Sequence, residues 1–294
     1  MKQLIFRGVG TALITPFREK GLDLDAFRRL IRFQMENGTD ALVVAGTTGE
    51  GSVLTKEEYA DLVACAVKEA GGRIPVIAGA GSNVTELAVE RTRMACSLGA
   101  DAVLLVTPYY NKTTQRGLVA SFRAIADASD KPCILYNVPS RTGLNMLPET
   151  LAELSEHPRI CAVKEASGNL SQVARIRRLC GDEITVYSGC DDQTVPVLSL
   201  GGQGVISVAS NVLPKEMSDM CRRWFAGDTA GAAELQLKLL DVMNQLMIET
   251  NPIPAKAACA ALGFGENRLR LPLVPMEEKN EAKLLQLLKE VRNA

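Results

Sequence analysis

A lysine interrupts an otherwise small and apolar run of residues, ICAVKEAS, at positions 160–167. Strand interiors rarely contain lysine, because burial disfavours the charged ammonium. The alternation of a strand predicts that Lys164 shares a face with Ile160 and Ala162, while Glu165 points to the other side. A desolvated lysine keeps more neutral amine, which attacks carbonyl carbons. Lys164 is therefore a candidate nucleophile, and a strand-end lysine that reaches solvent is the alternative interpretation.

A second apolar run, at positions 133–138 in the segment CILYNVPSRTG, carries Tyr136 and is followed by Arg141. The phenol of Tyr136 can pass a proton, and the planar guanidinium of Arg141 suits a carboxylate. Each residue alone is ordinary, since a strand tyrosine usually belongs to the core and a loop arginine is usually solvated. Their place on the run that precedes the Lys164 run makes the combination informative.

Two further segments carry hydroxyl groups. In GTTGE, at positions 46–50, the glycines permit a tight turn, and Thr47 and Thr48 bring hydroxyl and backbone N–H groups to it. The plain interpretation of this segment is a loop after a strand with Glu50 on the surface. TPYYNK adds Tyr109 and Tyr110, which fit either a site or an interface.

The composition excludes several kinds of chemistry. The one histidine, His157, lies in a polar stretch before a proline, which disfavours histidine-dependent triads and two-histidine metal sites. The eight cysteines never form C-x-x-C, and no carboxylate pair follows the strands, so neither a zinc site nor a glycosidase is indicated. With 33 basic and 34 acidic residues, the net charge of -1 gives no support for binding nucleic acid or anionic membranes. A lysine amine, phenols, hydroxyls and an arginine remain, which suit imine chemistry on a keto acid.

Eight short apolar runs alternate with amphipathic segments along the chain, as in repeated βα units with buried parallel strands. Capping residues open several of the helical segments: Asp23, Thr55 with Glu58 in a capping box, and Asn83. Eight such units predict an α/β fold, a closed (β/α)8 TIM barrel, over residues 1–226. A dinucleotide-binding sheet is disfavoured, because Val84 replaces the third glycine of the only G-x-G candidate. The runs are 9–17, 41–46, 75–81, 102–110, 133–138, 160–167, 184–189 and 204–209.

After about residue 226 the strand pattern stops. Helical periodicity continues at 230–249, 254–262 and 279–291, which predicts a C-terminal helical appendage over residues 227–294. The N-terminus has no apolar leader, and no apolar run approaches the length of a membrane-spanning helix. We therefore expect a soluble, cytoplasmic protein with reduced cysteines.

Nearly the whole chain resembles the dihydrodipicolinate synthase family, within the pyruvate-dependent class I aldolase superfamily that also includes N-acetylneuraminate lyase. The resemblance rests on the order and strand placement of six motifs. These are GTTGE (46–50), TPYYN (107–111), YNVPSRTG (136–143), KEASGN (164–169), GGQGVISV (201–208) and NPIPAK (251–256). It implies condensation of pyruvate with L-aspartate 4-semialdehyde in the diaminopimelate and lysine pathway.

The resemblance also implies a role for particular residues. Lys164 would form the Schiff base with pyruvate without a metal or a separate cofactor, and Tyr136 would shuttle protons. Thr47 would connect Tyr136 to Tyr110 of a neighbouring subunit. The remaining substrate contacts would come from Thr48 to the pyruvate carboxylate, Arg141 to the semialdehyde carboxylate, and the backbone of Ile206 beside pyruvate.

Oligomerisation and regulation follow from the same resemblance. A homo-oligomer is expected, either a dimer or a tetramer built from tight dimers. Lysine-inhibited relatives usually have a histidine and a glutamate where this chain has Lys56 and Leu87, while Asn83 and Tyr109 match. An ammonium repels the cations of lysine, and leucine cannot accept its hydrogen bonds, so weak or absent feedback is expected.

Two alternatives remain open from the sequence. A sugar-acid aldolase of the same superfamily would also need Lys164, but it would not need a basic residue at Arg141. A non-catalytic barrel could bind a small ligand or a protein and have kept the motifs by descent. The intact set of lysine, tyrosines and threonines argues against this last alternative.

Overall fold

The computed structural model describes residues 2–293, which form eight strands and twelve α-helices. The strands pair in chain order, β8 returns to β1, and every neighbouring pair is parallel. The (β/α)8 barrel expected from the eight apolar runs is therefore confirmed. The strands are β1 Gly8–Ala12, β2 Ala41–Val44, β3 Val76–Gly79, β4 Ala102–Val106, β5 Cys133–Asn137, β6 Ile160–Glu165, β7 Thr185–Ser188 and β8 Gly204–Ser207.

Helices follow the strands around the barrel. They are α1 Leu24–Glu36, α2 Lys56–Ala70, α3 Thr85–Ser97, α4 Gln115–Asp127, α5 Pro139–Thr142, α6 Pro148–Leu154, α7 Leu170–Cys180, α8 Thr194–Ser199, α9 Pro214–Phe225, α10 Thr229–Gln245, α11 Ile253–Ala261 and α12 Glu278–Asn293. The three helical stretches expected after residue 226 are thus present as α10, α11 and α12. No helix within residues 2–293 is long and apolar enough to cross a membrane.

The predicted helix starts are mostly correct. Asp23 caps α1, and Thr55 and Glu58 form the expected capping box on α2. The prediction for Asn83 is wrong, because α3 begins later, after Val84, and has no side-chain cap. The Ser82 hydroxyl accepts a hydrogen bond from the Val84 backbone instead, which makes a local turn before the helix.

Buried apolar side chains form two layers. The inner layer fills the barrel with side chains such as Val43, Ile134 and Tyr187, and the outer layer packs the strands against the helices. Alternation along each strand sends successive residues to the two layers. A reactive side chain on the inner face near a strand's C-terminal end therefore emerges at the end of the barrel where the βα loops lie.

The start of β6 departs from the expected alternation. Cys133 pairs with Ile160, but the next residue of β5 pairs with Ala162, so Cys161 is an extra residue in β6. Ile160 consequently packs in the outer layer, while Ala162 lies in the inner one. The expectation that Ile160 shares a face with Lys164 is wrong, because the bulge shifts the alternation by one residue.

Candidate active site

Lys164 and Tyr136 lie side by side at the ends of neighbouring strands. The register between β5 and β6 pairs the two residues directly, and the Lys164 Nζ atom lies 4.4 Å from the centre of the Tyr136 ring. Only 5 % of Lys164 and 7 % of Tyr136 is exposed. Strand pairing thus brings an amine and a phenol, 28 positions apart in the sequence, into contact in a desolvated place.

The surroundings of Lys164 favour its neutral form. Burial lowers the pKa of the Lys164 ammonium from 10.5 to about 8, and the nearby Asp191 carboxylate opposes this shift without cancelling it. Desolvation outweighs the attraction, because the Lys164 side chain is almost completely buried. Near neutral pH, an appreciable fraction of the amine is therefore available as a nucleophile.

The surroundings of Tyr136 keep its proton in place. Burial raises the pKa of the phenol to about 12, while the charge of Arg141 and a hydrogen bond with Thr47 act in the opposite direction. The phenol is thus protonated near neutral pH and can donate a hydrogen bond to an oxygen or nitrogen beside Lys164. A proton transferred from it would leave a phenolate, which the Arg141 charge stabilises.

A cavity of about 330 Å³ opens at this end of the barrel. Thr47, Tyr136 and Arg141 contribute to its wall, together with Thr250 and Asn251 from the segment between α10 and α11. Lys164 is not part of the cavity wall, but its amine lies against the ring of Tyr136, which is part of the wall. The structure therefore gathers three of the predicted site residues around one space, with the amine at its edge.

Asn251 is a residue of this site that the sequence reasoning missed. Its side-chain amide donates a hydrogen bond to the Thr48 hydroxyl at 2.9 Å, and its backbone carbonyl accepts one from the Arg141 guanidinium at 3.2 Å. Its side-chain oxygen is buried and has no partner among the described residues. Asn251 opens the NPIPAK motif, whose position beyond the strands suggested no chemistry of its own.

The GTTGE loop is built differently from the expectation. Left-handed backbone occurs at Ala45 and Glu50, with φ of 53° and 51°, and not at Gly46 or Gly49. At Gly49 a side chain would approach the Ala45 nitrogen and the Leu13 oxygen at 3.1 Å, so this glycine supplies space. The surface interpretation of Glu50 is wrong, because only 3 % of the residue is exposed.

The structure separates Tyr110 from the other predicted residues. Tyr110 is 92 % exposed, has a left-handed φ of 68°, and does not contribute to the cavity. Its neighbour Tyr109 does. Within one chain, Tyr110 therefore lies outside the cavity wall to which Thr47 belongs.

Ile206 lies on the inner face of β8, where it is fully buried and pairs with Gly10 of β1. The turn that follows it is held by Asp191, whose Oδ2 atom accepts hydrogen bonds from the backbone N–H groups of Val208 and Ala209 at 3.0 and 2.9 Å. The other carboxylate oxygen is buried without a partner among the described residues. Asp191 is a second residue that the sequence reasoning missed, because its partners lie in a turn that follows a different strand.

Acidic, cysteine and histidine side chains within residues 2–293 form no group of three that could hold a metal ion. The eight cysteines are free, and six of them are buried. His157 lies in the turn after α6, where its ring contacts Asp127 at 3.0 Å.

A closed barrel with a desolvated lysine beside a phenol at its strand ends defines an enzyme of the class I aldolase type. Residues 5–291 match the model of the dihydrodipicolinate synthetase family, and the chain belongs to that family.

Named relatives agree with this assignment over their full length. The chain is 53 % identical over 285 residues to the 4-hydroxy-tetrahydrodipicolinate synthase of Alkaliphilus oremlandii, which covers 97 % of this chain and 98 % of the relative. The crystal structure of dihydrodipicolinate synthase from Thermotoga maritima superposes with a TM-score of 0.97 at 45 % identity, covering 99 % of this chain and 100 % of that one. The crystal structure of dihydrodipicolinate synthase from Cyanidioschyzon merolae with lysine bound superposes with a TM-score of 0.95 at 44 % identity, covering 99 % of this chain and 100 % of that one.

Proposed function

We propose that this protein is a 4-hydroxy-tetrahydrodipicolinate synthase, which condenses pyruvate with L-aspartate 4-semialdehyde through an imine on Lys164. The observation that carries the proposal is the contact between the Lys164 amine and the Tyr136 ring at the edge of a cavity that also holds Arg141. A desolvated amine supplies the nucleophile, the phenol supplies the proton donor, and the guanidinium matches the carboxylate of an amino-acid aldehyde.

The reaction begins when the neutral Lys164 amine adds to the ketone carbon of pyruvate. Loss of water from the adduct gives a protonated imine, which withdraws electrons and allows a methyl proton to leave. The resulting enamine carbon attacks the aldehyde carbon of the second substrate, and the aldehyde oxygen takes up a proton to become a hydroxyl. The amino group of the semialdehyde then displaces Lys164 from the imine, which closes the ring and restores the free amine.

Tyr136 is the proton donor and acceptor for these steps. It gives a proton to the departing water and takes one back when the aldehyde has been consumed, with Thr47 as the next member of the relay. Thr48 binds the pyruvate carboxylate, and the backbone of Ile206 lies beside the bound pyruvate. Arg141 binds the carboxylate of the semialdehyde. No separate cofactor is needed, because the imine itself is the electron sink.

A second copy of the chain completes the relay by supplying Tyr110. Its 92 % exposure and left-handed backbone support this, since a side chain held out into solvent is free to contact a second copy of the chain. The assembly is a homo-oligomer, a tetramer built from tight dimers. Its location is cytoplasmic, in agreement with the free state of all eight cysteines.

Trapping with borohydride tests the imine. Incubation with pyruvate followed by borohydride should leave a covalent adduct on Lys164, located by peptide mass spectrometry, and Lys164→Ala should leave none. The intact protein should also consume pyruvate only when the semialdehyde is present. Absence of an adduct from the intact protein would leave a non-catalytic binding barrel as the better account.

Mixed oligomers test the contribution of Tyr110. Lys164→Ala and Tyr110→Phe should each be nearly inactive alone, whereas co-refolded mixtures should recover about a quarter of the normal activity. When the two variants are mixed in equal amounts, half of the randomly formed pairs contain one chain of each variant. In such a pair one of the two sites has both Lys164 and Tyr110. If native mass spectrometry finds mixed pairs but activity does not return, Tyr110 does not act across the interface.

A further inference from the structure

A fully buried ion pair lies directly behind the GTTGE loop. The Lys256 ammonium, on α11, contacts a Glu50 carboxylate oxygen at 2.5 Å, and the two side chains are 1 % and 2 % exposed. Glu50 closes the loop that carries Thr47 and Thr48, whereas Lys256 comes 206 positions later. The pair thus joins the cavity wall to the C-terminal helices.

The Glu50 and Lys256 side chains also form hydrogen bonds with backbone groups of the C-terminal segment. Lys256 donates a second hydrogen bond to the Arg268 carbonyl at 2.6 Å, and the other Glu50 oxygen accepts one from the Arg270 backbone N–H at 3.0 Å. The Phe17 ring lies 3.9 Å from the Lys256 ammonium and 4.2 Å from the Arg270 guanidinium. The two charges are therefore held in one geometry by several partners.

A second bond from the same part of the chain reaches the loop. Asn251, two residues before α11, holds the Thr48 hydroxyl at 2.9 Å. Thr48 and Glu50 are thus both fixed by α11 and the residues that precede it. The loop cannot move relative to α11 without breaking both connections.

We propose that Glu50 and Lys256 are positioning residues, whose buried ion pair fixes the GTTGE loop so that Thr47 and Thr48 meet the bound pyruvate and its imine. This inference rests on the proposed function of the same cavity. It also assigns a role to the C-terminal helices, which complete the active site by holding one of its loops.

The conformation of Glu50 supports a positioning role over simple stabilisation. Left-handed backbone at a residue with a side chain is strained, and glycine would adopt it more easily. Buried ion pairs also contribute little net stability compared with apolar residues of similar volume. What a buried pair with several hydrogen bonds does supply is a defined position for the groups attached to it.

Three variants separate the two roles. Lys256→Met and Glu50→Gln each break the pair while keeping side-chain volume, and the double variant removes both charges. Leu239→Ala is the control, because it opens a gap at a fully buried site on α10 that is not in the cavity wall. For each protein we would measure the melting temperature, the KM for pyruvate, kcat and the rate of imine trapping.

We expect Lys256→Met and Glu50→Gln to raise the KM for pyruvate by about 10- to 100-fold, because loop displacement of an ångström or less disturbs positioning. The double variant should regain melting temperature relative to Lys256→Met, since no unpaired charge stays buried, while its KM for pyruvate stays raised. Leu239→Ala should lower the melting temperature with an unchanged KM. If Lys256→Met does not fold, Glu50→Gln and the double variant decide the question.

The inference is overturned if the folded variants keep a pyruvate KM within about twofold of the parent, or if the double variant restores KM together with melting temperature. Amide hydrogen exchange over residues 45–54 gives a readout that does not depend on turnover. Faster exchange there is expected in the pair variants and not in Leu239→Ala. If the parent protein traps no pyruvate, both the proposed function and this inference fail. If the parent is active and the variants have a normal KM for pyruvate, only the inference fails.

Discussion

The rate of imine formation should follow the ionisation of Lys164, and one substitution should move its midpoint in a defined direction. With a pKa of about 8, about a tenth of the amine is neutral at pH 7, whereas an ordinary lysine at 10.5 would have only about 0.03 %. Burial therefore raises the concentration of the nucleophile about 300-fold at pH 7. The rate of trapping should rise with pH and level off above a midpoint near 8.

Asp191→Asn is the perturbation that tests this reasoning. The Asp191 carboxylate raises the pKa of the Lys164 ammonium, so loss of its charge should lower the midpoint of the pH profile. Asparagine keeps an oxygen that can accept from the Val208 and Ala209 N–H groups, so the turn after Ile206 should persist. Asp191 itself is buried, which raises the pKa of its carboxyl, while hydrogen bonds from the Ser207 side chain and from two backbone N–H groups favour the ionised form.

The assay is rapid mixing of protein and pyruvate at each pH, followed by a quench into borohydride at one fixed pH. Intact-protein mass spectrometry then measures the adduct, and Lys164→Ala provides the blank. A parent midpoint at pH 10 or above would show that burial does not lower the pKa of Lys164. An upward shift of the midpoint in Asp191→Asn would show that the carboxylate does not act on the amine as described.

Three further predictions concern stability, specificity and regulation. Lys164→Met should abolish trapping yet stabilise the fold at pH 7 by up to about 3 kcal/mol, since lowering its pKa from 10.5 to about 8 is an electrostatic cost of the folded state. That cost is present in full below pH 8 and is relieved as the pH rises toward 10.5, so chemical denaturation at pH 7 and pH 10 should show the advantage shrinking. Arg141→Ala should raise the KM for the semialdehyde about 10- to 100-fold through loss of charged hydrogen bonds, whereas the KM for pyruvate should change much less. A normal KM for the semialdehyde would contradict the role of Arg141. Millimolar L-lysine should inhibit weakly or not at all, because Lys56 is a cation already paired with Glu90 at 2.5 Å and Leu87 offers no acceptor. Strong inhibition in a steady-state assay would overturn this.

Much of the fold and part of the site could be predicted from local sequence. Burial on both faces and the β-strand period are properties of a few consecutive residues, so the eight apolar runs identified all eight strands. The same local signal singled out Lys164, because an ammonium in an apolar strand conflicts with its surroundings. Tyr136 and Arg141 stood out for their place on the preceding run. The limit of local pattern is visible at Ile160, where one extra residue reverses the alternation.

The remaining features depend on contacts between distant segments. Glu50 looks like a loop residue on the surface until barrel closure and α11 bring Lys256 against it. Asn251 gains its two partners, Thr48 and Arg141, only when the C-terminal segment folds over the strand ends.

Hydrophobic alternation is encoded residue by residue, so the order of the amino acids was enough to indicate which residue types could carry imine chemistry and where the strands that hold them run. Which of these groups meet, how far they are desolvated and which distant residues hold them depends on the packing of the folded chain. A hydrogen bond or a close ion pair needs its two atoms within a few ångströms of each other, whereas Glu50 and Lys256 are separated by 206 positions along the chain. A single chain leaves Tyr110 exposed, and the contact proposed for it with a second copy would depend on association as well as on folding.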